Sequence, residues 1–272
     1  MDTKRVLSIQ DISCLGQCSL TVALPVISAC GVEACVLPSA LLSTHTMGFK
    51  DFTCLDLTAE MKKILAHWER EGVFFDAVYT GYLATAEQID IVREAFACRL
   101  KKGGLRIVDT VMGDFGKLYP AFDSGFVNEM RKLAAEADII LPNITEACYL
   151  TGIDYKEEYD ENYIQSLLDA LIKLGAKQVV LKGVGYSRNT TGVTVYDGKD
   201  KFYYSHTKLE RNCHGTGDVF ASAFTGLLMR GKTVREAVAV AANFVVDCIR
   251  ETDEEHWYGV SFEPNLSLLT RE

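Results

Sequence analysis

Long apolar runs, proline and any excess of positive charge are scarce in this 272-residue chain, and each scarcity removes a class of protein. No uninterrupted apolar stretch approaches the roughly 20 residues that a membrane-spanning helix needs. The apolar residues Val6 to Ile9, just after Lys4-Arg5, are too few for the core of a secretion signal. A cytoplasmic location with no membrane partner is therefore expected. Five prolines and two tryptophans accompany 48% hydrophobic residues, a composition that builds a large core and leaves no low-complexity linker. Lysine and arginine total 28 against 37 acids, a net charge of −9 with no basic cluster. That balance excludes general affinity for nucleic acid and leaves any nucleotide to be held by local features and a metal. The nine cysteines, at positions 14, 18, 30, 35, 54, 98, 148, 213 and 248, form no Cys-x-x-Cys pair, so neither a zinc site nor a disulfide framework is signalled. Most read as small core residues, with Cys14, Cys18 and Cys213 the three placed where reactivity would matter.

What is present is organised around His214-Gly215-Thr216-Gly217-Asp218, a glycine-rich turn leading into the apolar run Val219 to Met229. Such a turn brings backbone close to an anion, and the unpaired N–H groups of the helix start point at it. Asp218 beside an anion site reads as a proton acceptor for an attacking group. The competing reading makes Thr216 a helix N-cap and Asp218 a complement to the helix dipole.

The remaining chain alternates strand and helix. Strands are expected at Arg5–Gln10, Val32–Leu37, Asp76–Thr80, Leu105–Asp109, Asp138–Leu141 and Gln178–Lys182. Helices are expected at Ser19–Cys30, Leu57–Glu71, Glu87–Lys102, Ser124–Glu136, from Asn143 onward and at Tyr163–Leu174. A polar loop runs from Asp11 to Gln17, and a hydroxyl-rich loop from Ser39 to Thr53 holds Ser43, His45 and Thr46. Thr191–Tyr196 and Lys201–Ser205 around Asp197-Gly198 predict a β-hairpin. Asn143 and Glu146 have capping-box spacing, a purely structural alternative to any ligand role. The tail with His256-Trp257-Tyr258 reads as a surface clasp or dimer contact. Repeated units of this kind predict one α/β domain over 1–272, with a mainly parallel sheet, helices on both faces and ligands beyond the strand C-termini.

Four pieces in this order, the Gln10 loop, Asp109-x-Val111-Met112-Gly113-Asp114, Pro142-Asn143-x-x-Glu146-Ala147 and Gly215-Thr216-Gly217-Asp218, resemble the ribokinase-like superfamily. Within it the chain resembles the pyridoxal kinases over nearly its whole length. The resemblance implies a three-layer ribokinase-like fold and ATP-dependent phosphorylation of the 5′-hydroxymethyl group of a B6 vitamer. It also implies magnesium, often potassium, and a homodimer. Asp218 would be the base, and Gly215, Thr216 and Gly217 the anion hole. Asn143 and Glu146 would arrange magnesium and its waters, with Asp109 and Asp114 on the nucleotide side and Asp109 and Glu146 as the metal's carboxylates. Gln10, Asp11, Ser43, His45, Thr46 and Tyr82 would face the substrate.

Four departures from the family pattern stand out, the first being Gly16-Gln17-Cys18-Ser19-Leu20, where a glycine followed by asparagine is usual in the last two places. Asp11 occupies a place usually held by serine, and either pairs with a protonated ring nitrogen or amine, favouring pyridoxamine or pyridoxine, or sits solvated in its loop. Thr110 replaces a proline, a matter of backbone only. Lys182 replaces a threonine or serine and either adds positive charge at the phosphates or points to solvent. Hydroxymethylpyrimidine kinases are the nearest rival family, but they tend to carry cysteine in place of Asp218. A non-catalytic B6- or nucleotide-binding protein is the alternative of a different kind, and the intact Asp218, Asn143 and Glu146 speak against it.

Overall fold

In the computed structural model, which describes residues 3–211 and 213–270, the strand-helix alternation folds into one nine-stranded sheet. The chain runs β1 (Arg5–Ser13), α1 (Leu20–Ala29), β2 (Glu33–Leu42), β3 (Cys54–Asp56), α2 (Thr58–Arg70), β4 (Phe75–Thr80), α3 (Ala86–Cys98) and β5 (Leu100–Val108). A small hairpin follows, β6 (Gly113–Asp114) and β7 (Lys117–Leu118), then α4 (Ser124–Glu136), β8 (Ile139–Ile140), α5 (Ile144–Thr151), α6 (Glu161–Leu174) and β9 (Gln178–Lys182). The last elements are β10 (Thr190–Tyr196), β11 (Lys201–Thr207), α7 (Thr216–Arg230), α8 (Val234–Glu251) and, after one 3₁₀ turn at Glu263–Asn265, α9 (Leu266–Thr270).

The sheet order is β11-β10-β9-β8-β5-β4-β1-β2-β3. The six strands from β9 to β2 pair in parallel, and antiparallel strands finish both edges. Parallel strands buried on both faces need continuous apolar sequence, and β4 is buried at every position from Phe75 to Thr80. Helices α2 to α6 cover one face and α1, α7 and α8 the other, each with its own apolar cluster. Helix α6 shows why the amphipathic segments choose helix. Tyr163, Ile164, Leu167, Leu168 and Leu171 fall on one stripe and are all buried, while Asp160 caps the start by accepting from the Tyr163 N–H at 2.8 Å. The three-layer, mainly parallel architecture agrees with the expectation.

Several boundaries differ for identifiable reasons. Strand β1 continues through Asp11 to Ser13, and β2 through Pro38 to Leu42, because the two strands keep pairing past a bulge between Gln10 and Ile12. Helix α3 stops at Cys98 rather than Lys102, since Leu100 already pairs with Phe75 in the sheet. Beyond the hydroxyl-rich loop, Cys54–Asp56 adds an antiparallel edge to β2.

Candidate active site

The parallel strands aim their C-terminal ends at one region, and the turn before α7 closes over it. Gly215 is the N-cap of α7 and holds a left-handed backbone, φ 82°. A Cβ there would stand 2.0 Å from the Gln17 carbonyl oxygen, so only glycine fits. Glycine has no side chain with which to cap, and the first-turn N–H groups are left for another partner. The competing reading of Thr216 as the cap is thereby corrected, because Thr216 lies inside the helix and its hydroxyl reaches back to the Cys213 carbonyl at 3.4 Å.

Asp218 sits in the first turn, partly buried, with Oδ2 accepting the Ser19 N–H at 3.1 Å. Burial, together with Asp109 and Asp11, pushes its carboxyl up to about 7, against the Ser19 hydrogen bond and the Lys182 charge. A carboxyl poised near neutrality can both take and hold a proton at physiological pH. Lys182, at the end of β9, does not point to solvent. Its Nζ lies 2.7 and 2.8 Å from the two oxygens of Asp109, which is 1% exposed. The same Nζ is 3.8 Å from where a Cβ on Gly217 would be, which puts the ammonium beside the glycine turn. Burial disfavours the Lys182 charge, but Asp109 and Glu146 outweigh it and hold the group protonated.

Asn143 and Glu146 form the full capping box of α5. The Asn143 side chain accepts from the Glu146 N–H at 2.9 Å, and Glu146 Oε2 accepts from the Asn143 N–H at 2.9 Å. Two further donors bind Glu146: Thr110 Oγ1 at 3.1 Å and the Met112 N–H at 3.2 Å. Thr110 is thus more than a backbone substitution, for its buried hydroxyl clamps the acid. Burial and the nearby Asp109 raise Glu146 to about 7, with Lys182 pulling the other way. Asp114, in the β6–β7 hairpin, is exposed and accepts its neighbour Phe115 N–H at 2.9 Å.

The expected pair of metal carboxylates, Asp109 and Glu146, is engaged by protein donors on this geometry. Both Asp109 oxygens face Lys182, making Asp109 a counter-ion, and Glu146 already serves three donors. Among the described residues no three His, Cys, Asp or Glu gather into a protein cage. The donors available are hard oxygens with net negative charge, which suits magnesium held through its own waters and through phosphates.

On the opposite side of Asp218 the expected substrate residues separate into two groups. Asp11 is 4% exposed, not solvated, and accepts from Ser13 Oγ at 3.0 Å. Burial raises its carboxyl, and burial together with the neighbouring Asp11 pushes the Tyr82 phenol up to about 12. Cys18, between Asp11 and Asp218, is driven up by burial and by both carboxylates, so its thiol is a poor nucleophile. Burial also raises Cys213. His45 is buried and within 5.8 Å, ring to ring, of His214. Gln10, by contrast, is fully buried in the floor, donating to Ser8 Oγ at 2.7 Å and packed so tightly against Gly81 that a Cβ there would lie 2.1 Å from its Oε1. It supports the site from beneath rather than lining it. Ser43 and Thr46 are exposed, and the Ser43 hydroxyl accepts the Thr53 N–H at 2.9 Å within its own loop. Sequence reading missed Gln17, which touches the glycine turn; no local pattern marks it, because its partners are distant in the chain.

A cavity of about 380 Å³ opens elsewhere, between α4, α5 and residues 152–155, and none of the candidate residues lines it. The site is defined by converging charge and chain ends, not by that hollow.

The phosphomethylpyrimidine kinase family profile matches residues 21–260. The chain is 31% identical over 182 residues to the hydroxymethylpyrimidine/phosphomethylpyrimidine kinase of Bacillus subtilis, an alignment covering 65% of this chain and 64% of that protein. Among solved structures, a provisionally assigned phosphomethylpyrimidine kinase of Bacteroides thetaiotaomicron, crystallised with pyridoxal, superposes with a TM-score of 0.92 at 36% identity, covering 98% and 96% of the two chains. The pyridoxal kinase of Lactobacillus plantarum gives a TM-score of 0.91 at 32% identity, covering 98% and 97%.

Proposed function

As the chain belongs to the phosphomethylpyrimidine kinase family, we propose that it transfers the γ-phosphoryl group of ATP to the 5′-hydroxymethyl group of a B6 vitamer. The observation that carries this reading is Asp218, a carboxylate poised near neutrality in the first turn of an uncapped helix. In this scheme the Gly215-Thr216-Gly217 turn and the Lys182 ammonium receive the charge of the transferring phosphoryl group, and Asp218 accepts the alcohol proton as oxygen attacks phosphorus. The oxygen–phosphorus bond to the substrate forms, the bond to ADP breaks, and the proton ends on Asp218. Asn143, Glu146 and the exposed Asp114 would hold the waters of a bound magnesium, which would supply positive charge at the phosphates. A potassium requirement, a homodimer and a cytoplasmic location belong to the same proposal.

Two observations favour the B6 side of the family: an aspartate stands at 218, and the similar Bacteroides protein was crystallised with pyridoxal. Asp11, buried with the Ser13 hydroxyl as its neutral donor, suits a protonated ring nitrogen or amine. Hydroxymethylpyrimidine is the second reading, because the Bacillus relative carries that name. A panel of pyridoxal, pyridoxine, pyridoxamine and hydroxymethylpyrimidine, assayed by ADP release at saturating magnesium, tests the choice. A B6 vitamer should give the highest kcat/KM, by at least about tenfold. Preference for the pyrimidine would overturn the assignment, and absence of turnover with all four would overturn the kinase reading.

A further inference from the structure

Residues 253–259 lie outside the core, yet they touch both loops that flank Asp218. The segment is pinned at each end: Thr252 is buried, donates to the Cys248 carbonyl at 2.7 Å and accepts the Ser261 N–H at 2.9 Å, while Val260 and Phe262 are buried in the core. Between these anchors, His256 Nε2 meets Gln17 Oε1. An amide oxygen carries no proton, so the imidazole nitrogen is the donor. The Gln17 amide nitrogen is held in turn by both oxygens of Glu263, at 2.8 and 2.9 Å, which fixes which way the amide faces. Gln17 is the residue whose carbonyl abuts Gly215, and two positions on, the Ser19 N–H binds Asp218.

The same segment reaches the hydroxyl-rich loop. The Tyr258 carbonyl lies 2.6 Å from His45 Nε2, and His45 Nδ1 accepts the Met47 N–H at 3.1 Å, which sets the ring as the Nε2–H tautomer. Trp257 packs on Phe49 with ring centres 4.8 Å apart and planes tilted by 44°, and covers Gly48, although 51% of it remains exposed. One short stretch therefore grips the first loop through His256 and the substrate-side loop through Tyr258 and Trp257. Neither grip contributes to the sheet or to the nucleotide side near Asp109 and Asp114.

We propose that residues 253–259 form a strap that positions the alcohol substrate, with His256 acting through Gln17 as a positioning residue for the loop that holds Asp218. The proposal rests on the kinase reading above. It requires that loosening the strap weaken use of the alcohol and spare use of ATP.

The test compares His256→Ala, His256→Gln, Gln17→Ala and the Gln17→Ala/His256→Ala double variant, measuring KM for the alcohol and for ATP separately. The alcohol is pyridoxal, or hydroxymethylpyrimidine if wild type accepts only that, so failure of the vitamer assignment is read on wild type and failure of the strap on the variants. His256→Ala should raise the alcohol KM by about fivefold, the size of one lost neutral hydrogen bond. The ATP KM should move by less than about twofold. His256→Gln, which can still donate to Gln17, should restore the wild-type value, and the double variant should be no worse than Gln17→Ala alone. Unchanged kinetics in His256→Ala, a parallel rise in both KM values, or additive effects in the double variant would each overturn the proposal. If His256→Ala does not fold, the half-exposed Trp257→Ala replaces it: the alcohol KM should rise alone, and an unchanged value sinks the strap.

Discussion

Replacing Lys182 by methionine keeps the stem of the side chain and removes its charge, which isolates what the ammonium does. Asp109, 1% exposed, would then be a buried carboxylate whose partner at 2.7 Å has gone. Breaking a buried pair from one side costs about 3–5 kcal/mol, since the remaining ion keeps its desolvation penalty and loses its compensation. For a chain of this size each kcal/mol moves the melting temperature by roughly 2–4 °C, so a fall on the order of 10 °C is expected at pH 8. The pH dependence has a definite sign. Burial already raises the Asp109 carboxyl against the pull of Lys182, and without that pull it rises further. A carboxyl raised in the folded state favours folding while it can stay protonated and disfavours it as pH climbs through the folded value. The deficit of Lys182→Met should therefore shrink from pH 8 to pH 6. Asp109→Asn on top of Lys182→Met removes the stranded charge and should recover at least half of the lost stability. Thermal melts at both pH values decide the matter. A single variant melting within about 3 °C of wild type at pH 8, under 2 kcal/mol, or a double variant as unstable as the single, would refute the reasoning. Lys182 also lowers Asp218, so the acid limb of kcat/KM should move to higher pH in Lys182→Met.

Asp218→Asn should lower turnover by roughly 10²–10⁴ with folding intact, and wild-type kcat/KM should fall about tenfold per unit below a pH near 7, a limb the variant lacks. Turnover within a few-fold of wild type would remove Asp218 as the base. Glu146→Gln leaves three donors facing one amide oxygen and an unwanted NH₂, so the melting temperature should drop by the equivalent of about 1–3 kcal/mol and the magnesium needed for half-maximal rate should rise. A lowered melting temperature with unchanged magnesium dependence would reduce Glu146 to its capping role. Gly215→Ala meets both a left-handed backbone and the Gln17 carbonyl, and kcat/KM should drop at least about tenfold; kinetics close to wild type would show that the turn has room to relax.

The sheet was legible because each unit declares itself locally. Strands such as β4 are short, mostly apolar runs buried at every position, and helices such as α6 carry their stripe and their cap within one segment. The capping box at Asn143 and Glu146 was equally readable, and it is present. Pairing was harder to read. Pro38-Ser39 looks like the start of a loop, but β2 runs on to Leu42 because β1 and β3 supply partners on either side. That extension decides whether Asp11 is a solvated loop residue or a buried acid. Partner choice within the site was the least legible level. Lys182 could be placed at a strand end, but its match to Asp109, 73 positions earlier, follows from strand order alone. Thr110 looked neutral because its acceptor, Glu146, lies 36 positions away.

The Ser19–Asp218 hydrogen bond joins residues 199 positions apart, and the links from Gln17 to His256 and Glu263 span 239 and 246. Synthesis runs from the N-terminus, so the loop carrying Gln17 and Ser19 waits for partners made about 200 to 250 residues later. A ribosome that has completed β1 to β9 has laid out most of the sheet without the glycine turn or the segment that secures Gln17. A chain made only as far as β9 contains Asp109, Asn143 and Lys182 and still lacks both Asp218 and two of the helices, α7 and α8, that cover one face of the sheet.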